Sequence, residues 1–212
     1  MKEGFKRIIL KNGLRVILAP QKGLAATALV LVEAGSEYET KNINGLSHFL
    51  EHLMFKGTVN RPRPGEISEE LDSLGAEYNA FTSQEYTGYW AKAQKGKLPQ
   101  VLDIVSDLYL NPIFNVQEMD KERGVIIEEI NMYEDTPMRS VHEIFASLLY
   151  GDQPAGWDIA GTKENIRSIT KENITAYRDK HYIAPATSVV IAGDFDEKRV
   201  TRLVGDIFSG MK

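Results

Sequence analysis

His48-Phe49-Leu50-Glu51-His52 is the stretch that decides the fold and the chemistry of this 212-residue sequence. An α-helix turns by about 100° per residue, so His48, Glu51 and His52 would share one narrow stripe of a helix. Apolar side chains cover the rest of the circumference, namely Leu46, Phe49, Leu50, Leu53 and Met54. A helix that is apolar nearly all round is predicted to be largely buried.

The polar stripe on this predicted helix needs partners, because burying polar groups without compensation is costly. Two imidazoles one helical turn apart can bind the same metal ion, and the carboxylate of Glu51 would face that ion. The H-x-x-E-H spacing is typical of the inverted zinc peptidases. The alternative is a buried helix with two hydrogen-bonded histidines. Two of the four histidines of the chain flank one glutamate here, which favours the metal.

Composition limits the class of protein. Hydrophobic content is 42% and charged content 26%, as in a globular domain large enough for its own core. The net charge of −5 and the absence of a basic run argue against nucleic acid as a partner. The chain has no cysteine, which excludes thiol catalysis, disulfides and cysteine zinc sites.

Targeting signals are also missing from the sequence. No apolar run reaches the roughly 20 residues of a membrane helix, so no membrane contact is expected. The first residues, Met1-Lys2-Glu3-Gly4-Phe5-Lys6, lack the apolar region of a signal peptide. The expected location is cytoplasmic, with a cleaved targeting segment as the alternative.

Periodicity and turn signals predict a mixture of strands and helices. Hairpins are expected around Asn12-Gly13 and at Thr82-Ser83-Gln84-Glu85. The predicted strands are 6–10, 14–19, 25–32, 77–81, 86–92 and 188–192. The predicted helices, besides the one bearing His48, lie near 67–74, at 98–110, 117–134, 140–150 and 198–208, and from 170 onwards. This pattern favours an α+β layered fold, a mostly antiparallel sheet with helices packed on it.

A catalytic zinc site needs a third protein ligand and an open position for water. The remaining histidines, His142 and His181, have no neighbours typical of metal ligands, which favours structural or surface roles for both. The third ligand is therefore expected among the carboxylates.

The predicted helix 117–134 offers this carboxylate. Glu122 and Glu129 lie two turns apart and point into the apolar face of that helix, whereas Glu128 points to its polar face. A carboxylate in an apolar face is costly unless it is paired or bound to metal, so Glu129 is the expected ligand. The alternative is a rotated helix in which both carboxylates are solvated.

His48, His52 and Glu129 make the His₂Glu set of catalytic zinc peptidases, so the expected cofactor is one Zn²⁺ per chain. Zinc lowers the pKa of water and polarises the scissile carbonyl. Glu51 is the expected general base that takes the proton of the metal-activated water. Glu122 is expected to hydrogen bond to a ligand histidine and to fix its tautomer.

These motifs resemble the pitrilysin family, which includes insulin-degrading enzyme and the mitochondrial processing peptidase. Residues 48–52 look like the signature of the family, and Glu129 lies 77 residues after His52, the separation of the family's third ligand. Glu122 matches a further acidic residue of the family seven positions earlier. Residues 75–87 resemble the strand beside the family's active site, and residues 128–137 resemble its processing-peptidase branch.

The resemblance implies a processing-peptidase-like metallohydrolase domain. The family is built as two similar halves in a closed clamshell, and residues 1–212 match its zinc-bearing N-terminal half as a single domain. No segment matches the second half, which in the family supplies an Arg and a Tyr that help hold the substrate. The expected partners are therefore a peptide substrate and a second homologous half, in cis or in trans, or a second copy in a homodimer.

The strand containing Asn79, Ala80 and Phe81 is the expected substrate-binding segment. An edge strand near the zinc can add an extended peptide as a further strand and read its backbone. The alternative is an ordinary core strand. Asn79 and Thr82 place polar groups near an otherwise apolar run, which favours peptide docking.

The expected function is that of a zinc-dependent endopeptidase domain for extended or unfolded peptides, which needs a second half for full activity. One alternative is a non-catalytic structural or partner subunit, as occurs in respiratory complexes. The intact set of His48, Glu51, His52 and Glu129 argues against it. Another alternative is a non-hydrolytic zinc-binding module, which would leave no open coordination position.

Overall fold

The computed structural model describes residues 4–212 and is organised around a six-stranded sheet. The spatial order of the strands is β1-β2-β6-β3-β5-β4. Neighbouring strands are antiparallel except for the parallel pair β2 and β6, so the expected mostly antiparallel sheet is confirmed. The strands are β1 Lys6–Ile9, β2 Arg15–Pro20, β3 Ala25–Val32, β4 Glu77–Thr82, β5 Thr87–Gln94 and β6 Thr187–Gly193.

Eight α-helices accompany the sheet in the described part of the chain. Their bounds are α1 Leu46–Met54, α2 Glu66–Ser73, α3 Leu98–Leu110, α4 Val116–Glu134, α5 Pro137–Tyr150, α6 Lys163–Ser168, α7 Lys171–His181 and α8 Glu197–Phe208. None of these helices is both long and apolar enough to cross a lipid bilayer.

The core lies on one face of the sheet. In β3 every second residue is buried, ending with Val30 and Val32, and the residues between them are partly exposed. Such alternation is what a strand with one covered face produces. Helix α3 packs on β3 and β5, and α1 packs on β4, so helices cover the buried face. The expected α+β layers are thereby confirmed.

Side-chain caps mark where several of the helices begin. The side chain of Asn115 accepts a hydrogen bond from the backbone of Gln117 and caps α4. Thr170 and Asn173 form a reciprocal capping box at the start of α7, as the predicted start at Thr170 requires. The short helix α6 is missing from the prediction. Its cap, Thr162, accepts from the backbone of Asn165, but six residues are too few to show helical periodicity.

Helix α1, which carries His48 and His52, lies close to the edge of the sheet. It packs against α4 on one side and against β4 on the other. Strand β4 is the last strand in the spatial order, so it is an edge strand. The residues of α1, α4 and the free edge of the sheet are therefore neighbours.

Candidate metal centre and its surroundings

Helix α1 is buried as its sequence predicts, and it presents two histidines on one side. Six of its nine residues are buried, whereas the side chains of His48 and His52 keep 12% and 20% of their exposure. Their imidazole centroids are 4.6 Å apart and their Nε2 atoms are 3.2 Å apart. Both Nε2 atoms therefore face the same small volume.

Helix α4 brings Glu129 to that volume. Glu129 Oε2 is 3.6 Å from His48 Nε2 and 3.5 Å from His52 Nε2. The adjacent Glu128 is exposed and accepts a hydrogen bond from Asn131 on its own helix. The helical phase expected for Glu129 and Glu128 is thus found in the structure. Val125 on the same helix is half exposed, so the apolar face of α4 is not covered along its whole length.

The three side chains fit a zinc ion. His48, His52 and Glu129 each offer one ligand atom, and these atoms lie within 4.8 Å of one another. Ligand bonds of about 2.0–2.1 Å at tetrahedral angles would place neighbouring ligand atoms about 3.3 Å apart. The distances of 3.2, 3.5 and 3.6 Å lie close to that value. The donor set, two imidazoles and one carboxylate, is also one that zinc prefers.

His48 is the more deeply buried histidine of the pair. Burial, reinforced by the neighbouring His52, lowers the pKa of His48 to about 4, so its imidazole is neutral near pH 7. Its Nδ1 atom is buried and has no hydrogen-bond partner in the described part of the chain. A neutral imidazole that directs Nε2 at His52 and Glu129 has the protonation state that a metal ligand requires.

Glu122 supports His52 from behind. Its Oε1 atom is 2.9 Å from His52 Nδ1, and its Oε2 atom is 2.6 Å from Lys56 Nζ. Burial opposes ionisation of Glu122, but hydrogen bonds from His52 and Lys56 hold its pKa below the usual value. Burial by itself would lower the pKa of His52. The hydrogen bond and the charge of Glu122 outweigh burial, so the pKa of His52 is raised. An ionised Glu122 fixes the proton of His52 on Nδ1 and leaves Nε2 free.

Glu51 lies on the same helix and faces β4. The hydroxyl of Thr82 donates to Glu51 Oε2 at 2.5 Å. Burial raises the pKa of Glu51, the hydrogen bond from Thr82 opposes that rise, and the charge of Glu129 adds to it. A carboxylate whose pKa is shifted towards neutrality is better matched to proton transfer than a solvated one.

Three contacts of the site were missed from the sequence. Lys56 follows His52 by one helical turn, so its contact with Glu122 could have been found from spacing. Tyr133 follows Glu129 by one turn and donates its hydroxyl proton to Glu129 Oε1. The contact of Thr82 with Glu51 joins two elements 31 residues apart, and no local pattern indicates it.

Strand β4 carries the expected substrate-binding residues at the free edge of the sheet. Asn79 and Phe81 are exposed and alternate with Ala80, which packs against the core. In the sheet of the described residues β4 pairs with β5 on one side and has no strand on the other, and the backbone N–H of Ala80 donates to the side chain of Asn79. The edge is therefore free to pair with an extended chain. Its role as a peptide site stays a prediction.

The two remaining histidines lie away from this cluster, as expected. His181 packs its ring against Tyr38 and Tyr177. His142 is exposed on α5 and lines a cavity together with Gln84 and Trp157.

Comparison with known proteins identifies the family of the chain. Residues 15–163 match the model described as Insulinase (Peptidase family M16), and residues 168–212 match the model described as Peptidase M16 inactive domain. The first match covers most of the chain, and the chain therefore belongs to peptidase family M16. The resemblance to the pitrilysin and processing-peptidase group is confirmed.

Named relatives include proteases and a respiratory-complex subunit. The chain is 37% identical to an uncharacterized zinc protease, YmxG, of Bacillus subtilis, over 91% of this chain and 47% of that protein. It is 34% identical to the mitochondrial-processing peptidase subunit beta of Dictyostelium discoideum, over 96% and 43%. It is 35% identical to the mitochondrial cytochrome b-c1 complex subunit 1 of Bos taurus, over 95% and 42%.

The fold agrees with that assignment. The crystal structure of a protease from Helicobacter pylori superposes with a TM-score of 0.92 at 27% identity, covering 98% of this chain and 50% of that one. The chain thus spans about half the length of the curated relatives it matches.

Proposed function

We propose that this chain is the zinc-bearing half of an M16 metalloendopeptidase that cleaves extended or unfolded peptides. The observation that carries the proposal is the meeting of His48, His52 and Glu129 beside Glu51, with ligand-atom separations of 3.2 to 3.6 Å. Residues 1–212 form one domain in this proposal, and His48, His52 and Glu129 hold one zinc ion. The cytoplasmic location stays a prediction.

In this proposal the side chains around the zinc position the metal, the water and the proton for peptide hydrolysis. Zinc, when bound, polarises the scissile carbonyl and lowers the pKa of water. Glu51 takes the proton of the attacking water and delivers it to the leaving amine, while Thr82 orients its carboxylate. Glu122 keeps His52 in the ligand tautomer. The three ligand side chains retain 12 to 22% exposure, which leaves an approach for water and substrate.

The edge of β4 binds the peptide backbone in this proposal. An extended peptide that pairs with Asn79, Ala80 and Phe81 becomes a seventh strand of the sheet. The N–H of Ala80 would exchange the side chain of Asn79 for a peptide carbonyl. Recognition through the backbone reads extended conformation more than sequence, which suits unfolded substrates.

Zinc content and turnover test the proposal. The wild-type chain and Glu128→Gln are expected to hold one zinc per chain, and Glu129→Gln is expected to lose most of it. Glu128 is the matched control, because it is adjacent but exposed. Equal zinc loss in the two variants would show that Glu129 is not the third zinc ligand. Zinc binding without cleavage of an unstructured fluorogenic peptide, even with a second half added, would leave only a zinc-binding module.

Full activity requires a second homologous half, because one face cannot enclose a peptide. Two observations support this: the relatives are about twice as long, and α5, which packs on the helix that carries Glu129, exposes apolar side chains. We assign the exposed face of α5, which carries Met138, Val141, Phe145 and Leu148, as the surface that the second half covers. Exposed apolar patches of this kind mark interaction sites.

The second half is tested by adding it. The chain alone is expected to cleave a fluorogenic peptide at least about 10²-fold more slowly than the chain mixed with the C-terminal half of a longer relative. Leu148→Ser, 80% exposed on α5, should weaken this gain, whereas Leu24→Ser, 83% exposed far along the sequence, should not. A monomer that is fully active alone would contradict the requirement. Activity that rises with concentration of the chain alone would indicate a homodimer.

One relative favours a second candidate function. Cytochrome b-c1 complex subunit 1 of Bos taurus matches 95% of the chain at 35% identity. A partner subunit of that kind would fold and associate without turnover. Loss of turnover in Glu51→Gln, with an active wild type, would decide against this candidate.

A further inference from the structure

Helix α1 begins without a cap of its own. The residue before its first turn is Gly45, which adopts a positive φ of 99° and has no side chain to offer. A Cβ atom at this position would lie 2.6 Å from the carbonyl oxygen of Ala160, so only glycine fits. The first N–H groups of a helix have no partner within the helix and need one from elsewhere.

Glu39 supplies that partner from the preceding connection. Its carboxylate accepts from the backbone N–H of Gly45 at 2.8 Å and from that of Ser47 at 2.5 Å. The side chain of Asn44 donates to the same carboxylate at 3.1 Å and also to the carbonyl of Asp158 at 2.9 Å. Glu39 is only 4% exposed, which is unusual for a carboxylate unless it is fully hydrogen bonded.

The position of the cap matters because His48 lies in the first turn of α1. Leu46, Ser47 and His48 are the first three residues of the helix, whereas His52 lies in its last turn. The first turn is the part of a helix that frays when its N–H groups lack partners. His52 is held from behind by Glu122, but the Nδ1 of His48 has no such partner among residues 4–212.

We propose that Glu39 is a positioning residue for the metal centre: it orders the first turn of α1 and thereby sets the direction of His48. The inference rests on the proposed zinc site and adds a residue outside the family motif of residues 48–52. Glu39 does not contact the metal-binding atoms, and it acts through the backbone of Gly45 and Ser47. The hydroxyl of Ser47 assists by donating to Tyr177 at 2.9 Å.

The test compares zinc affinity in Glu39→Gln, Glu37→Gln and wild type. The glutamine keeps the shape but removes the charge and one acceptor, and Glu37 is an exposed acid two residues away. Glu39→Gln is expected to lower zinc affinity about tenfold, the size of a lost helix cap, and to change the visible spectrum of bound Co²⁺. Glu37→Gln should match wild type in both. Burial raises the pKa of Glu39 to about 7, so the titrations belong well above that pH.

The outcomes separate this inference from the zinc site itself. If His48→Ala fails to reduce zinc affinity, the proposed metal centre is wrong. If His48→Ala reduces it while Glu39→Gln folds and binds zinc and Co²⁺ as wild type does, the role of Glu39 is overturned. A lower melting temperature with unchanged metal binding would also overturn it, since a purely structural residue behaves that way.

A second variant keeps the inference testable if Glu39→Gln does not fold. Glu39→Asp retains the charge, but its side chain is one methylene shorter and cannot reach both Gly45 and Ser47. A folded Glu39→Asp with weakened zinc binding supports the positioning role, and unchanged zinc binding contradicts it.

Discussion

Helix α1 carries both histidines of the candidate metal centre and α5 packs on the neighbouring α4, but the surroundings of α1 and α5 are opposite. Six of the nine residues of α1 are buried, and Phe49 and Leu50 have no exposed surface. None of the fourteen residues of α5 is buried, although Phe145 and Leu148 on its face are apolar. Residues 4–212 thus bury most of the first helix and leave the apolar face of the second exposed.

The difference shows that an apolar helix face predicts burial but does not identify the element or the chain that covers it. The face of α1 is covered by β4 and α4 of the same chain. The face of α5 has no such cover among the described residues, and the relatives are about twice as long as this chain. In our proposal the apolar face of α1 is covered within this half, whereas the apolar face of α5 is covered by the second half.

The largest expected effect lies on α1. Glu51→Gln should reduce peptide turnover by about 10²–10⁴-fold while zinc stays bound, because a general base is lost and no ligand is removed. Turnover is measured with the second half present, and zinc is measured by metal analysis. Glu143→Gln on α5 is the control and should keep turnover. Zinc loss in Glu51→Gln would make Glu51 a ligand.

The two phenylalanines test the difference in burial directly. Phe49→Ala on α1 should lower the free energy of unfolding by about 3–5 kcal/mol, because it removes a fully buried ring. Phe145→Ala on α5, where the ring is 63% exposed, should change it by less than about 0.5 kcal/mol. Urea denaturation of the chain alone measures both. Similar losses in the two variants would mean that α5 is covered within the isolated chain.

Replacing Glu122, which hydrogen bonds to His52 of α1, is expected to have an intermediate effect. Glu122→Gln should weaken zinc binding by about 10–100-fold, because His52 loses a charged partner that fixes its tautomer. Competition with a chelator gives the affinity, and Glu128→Gln on the same helix serves as the control. An unchanged affinity in Glu122→Gln would show that His52 is oriented without Glu122.

The smallest expected effect is on the pH dependence of stability, through the contact of Glu143 on α5 with Asp158. Burial, with the charge and the hydrogen bond of Asp158, raises the pKa of Glu143 to about 7. The folded chain therefore binds this proton more tightly than the unfolded chain does. The resulting stability is complete below the ordinary pKa of 4.5 and is lost as the pH rises through about 7.

Glu143→Gln cannot ionise and should remove this part of the pH dependence. Melting temperatures of variant and wild type, measured between about pH 5 and about pH 8, should diverge in favour of the variant as the pH rises. Glu39 titrates in the same range, so the difference between the two proteins is the relevant quantity. A constant difference would show that the pKa of Glu143 is not raised into this range.

Local periodicity predicted most elements but not their arrangement. Strand β3 and helix α3 occupy the predicted ranges 25–32 and 98–110, because each carries one unbroken period between turn signals. The parallel pairing of β2 with β6 was not predicted. These strands are about 170 residues apart in the chain, and no local signal encodes such a pairing.

The sequence by itself determined the direction of the candidate ligands on their own helices. The four-residue spacing of His48 and His52, and the choice of Glu129 over Glu128, follow from 3.6 residues per turn. Only the tertiary structure decided that α1 and α4 cross where Glu129 reaches both imidazoles, and that Thr82 and Glu39 contact the metal helix. A helical period fixes angles around one axis, whereas the distance between two axes depends on how the whole core packs.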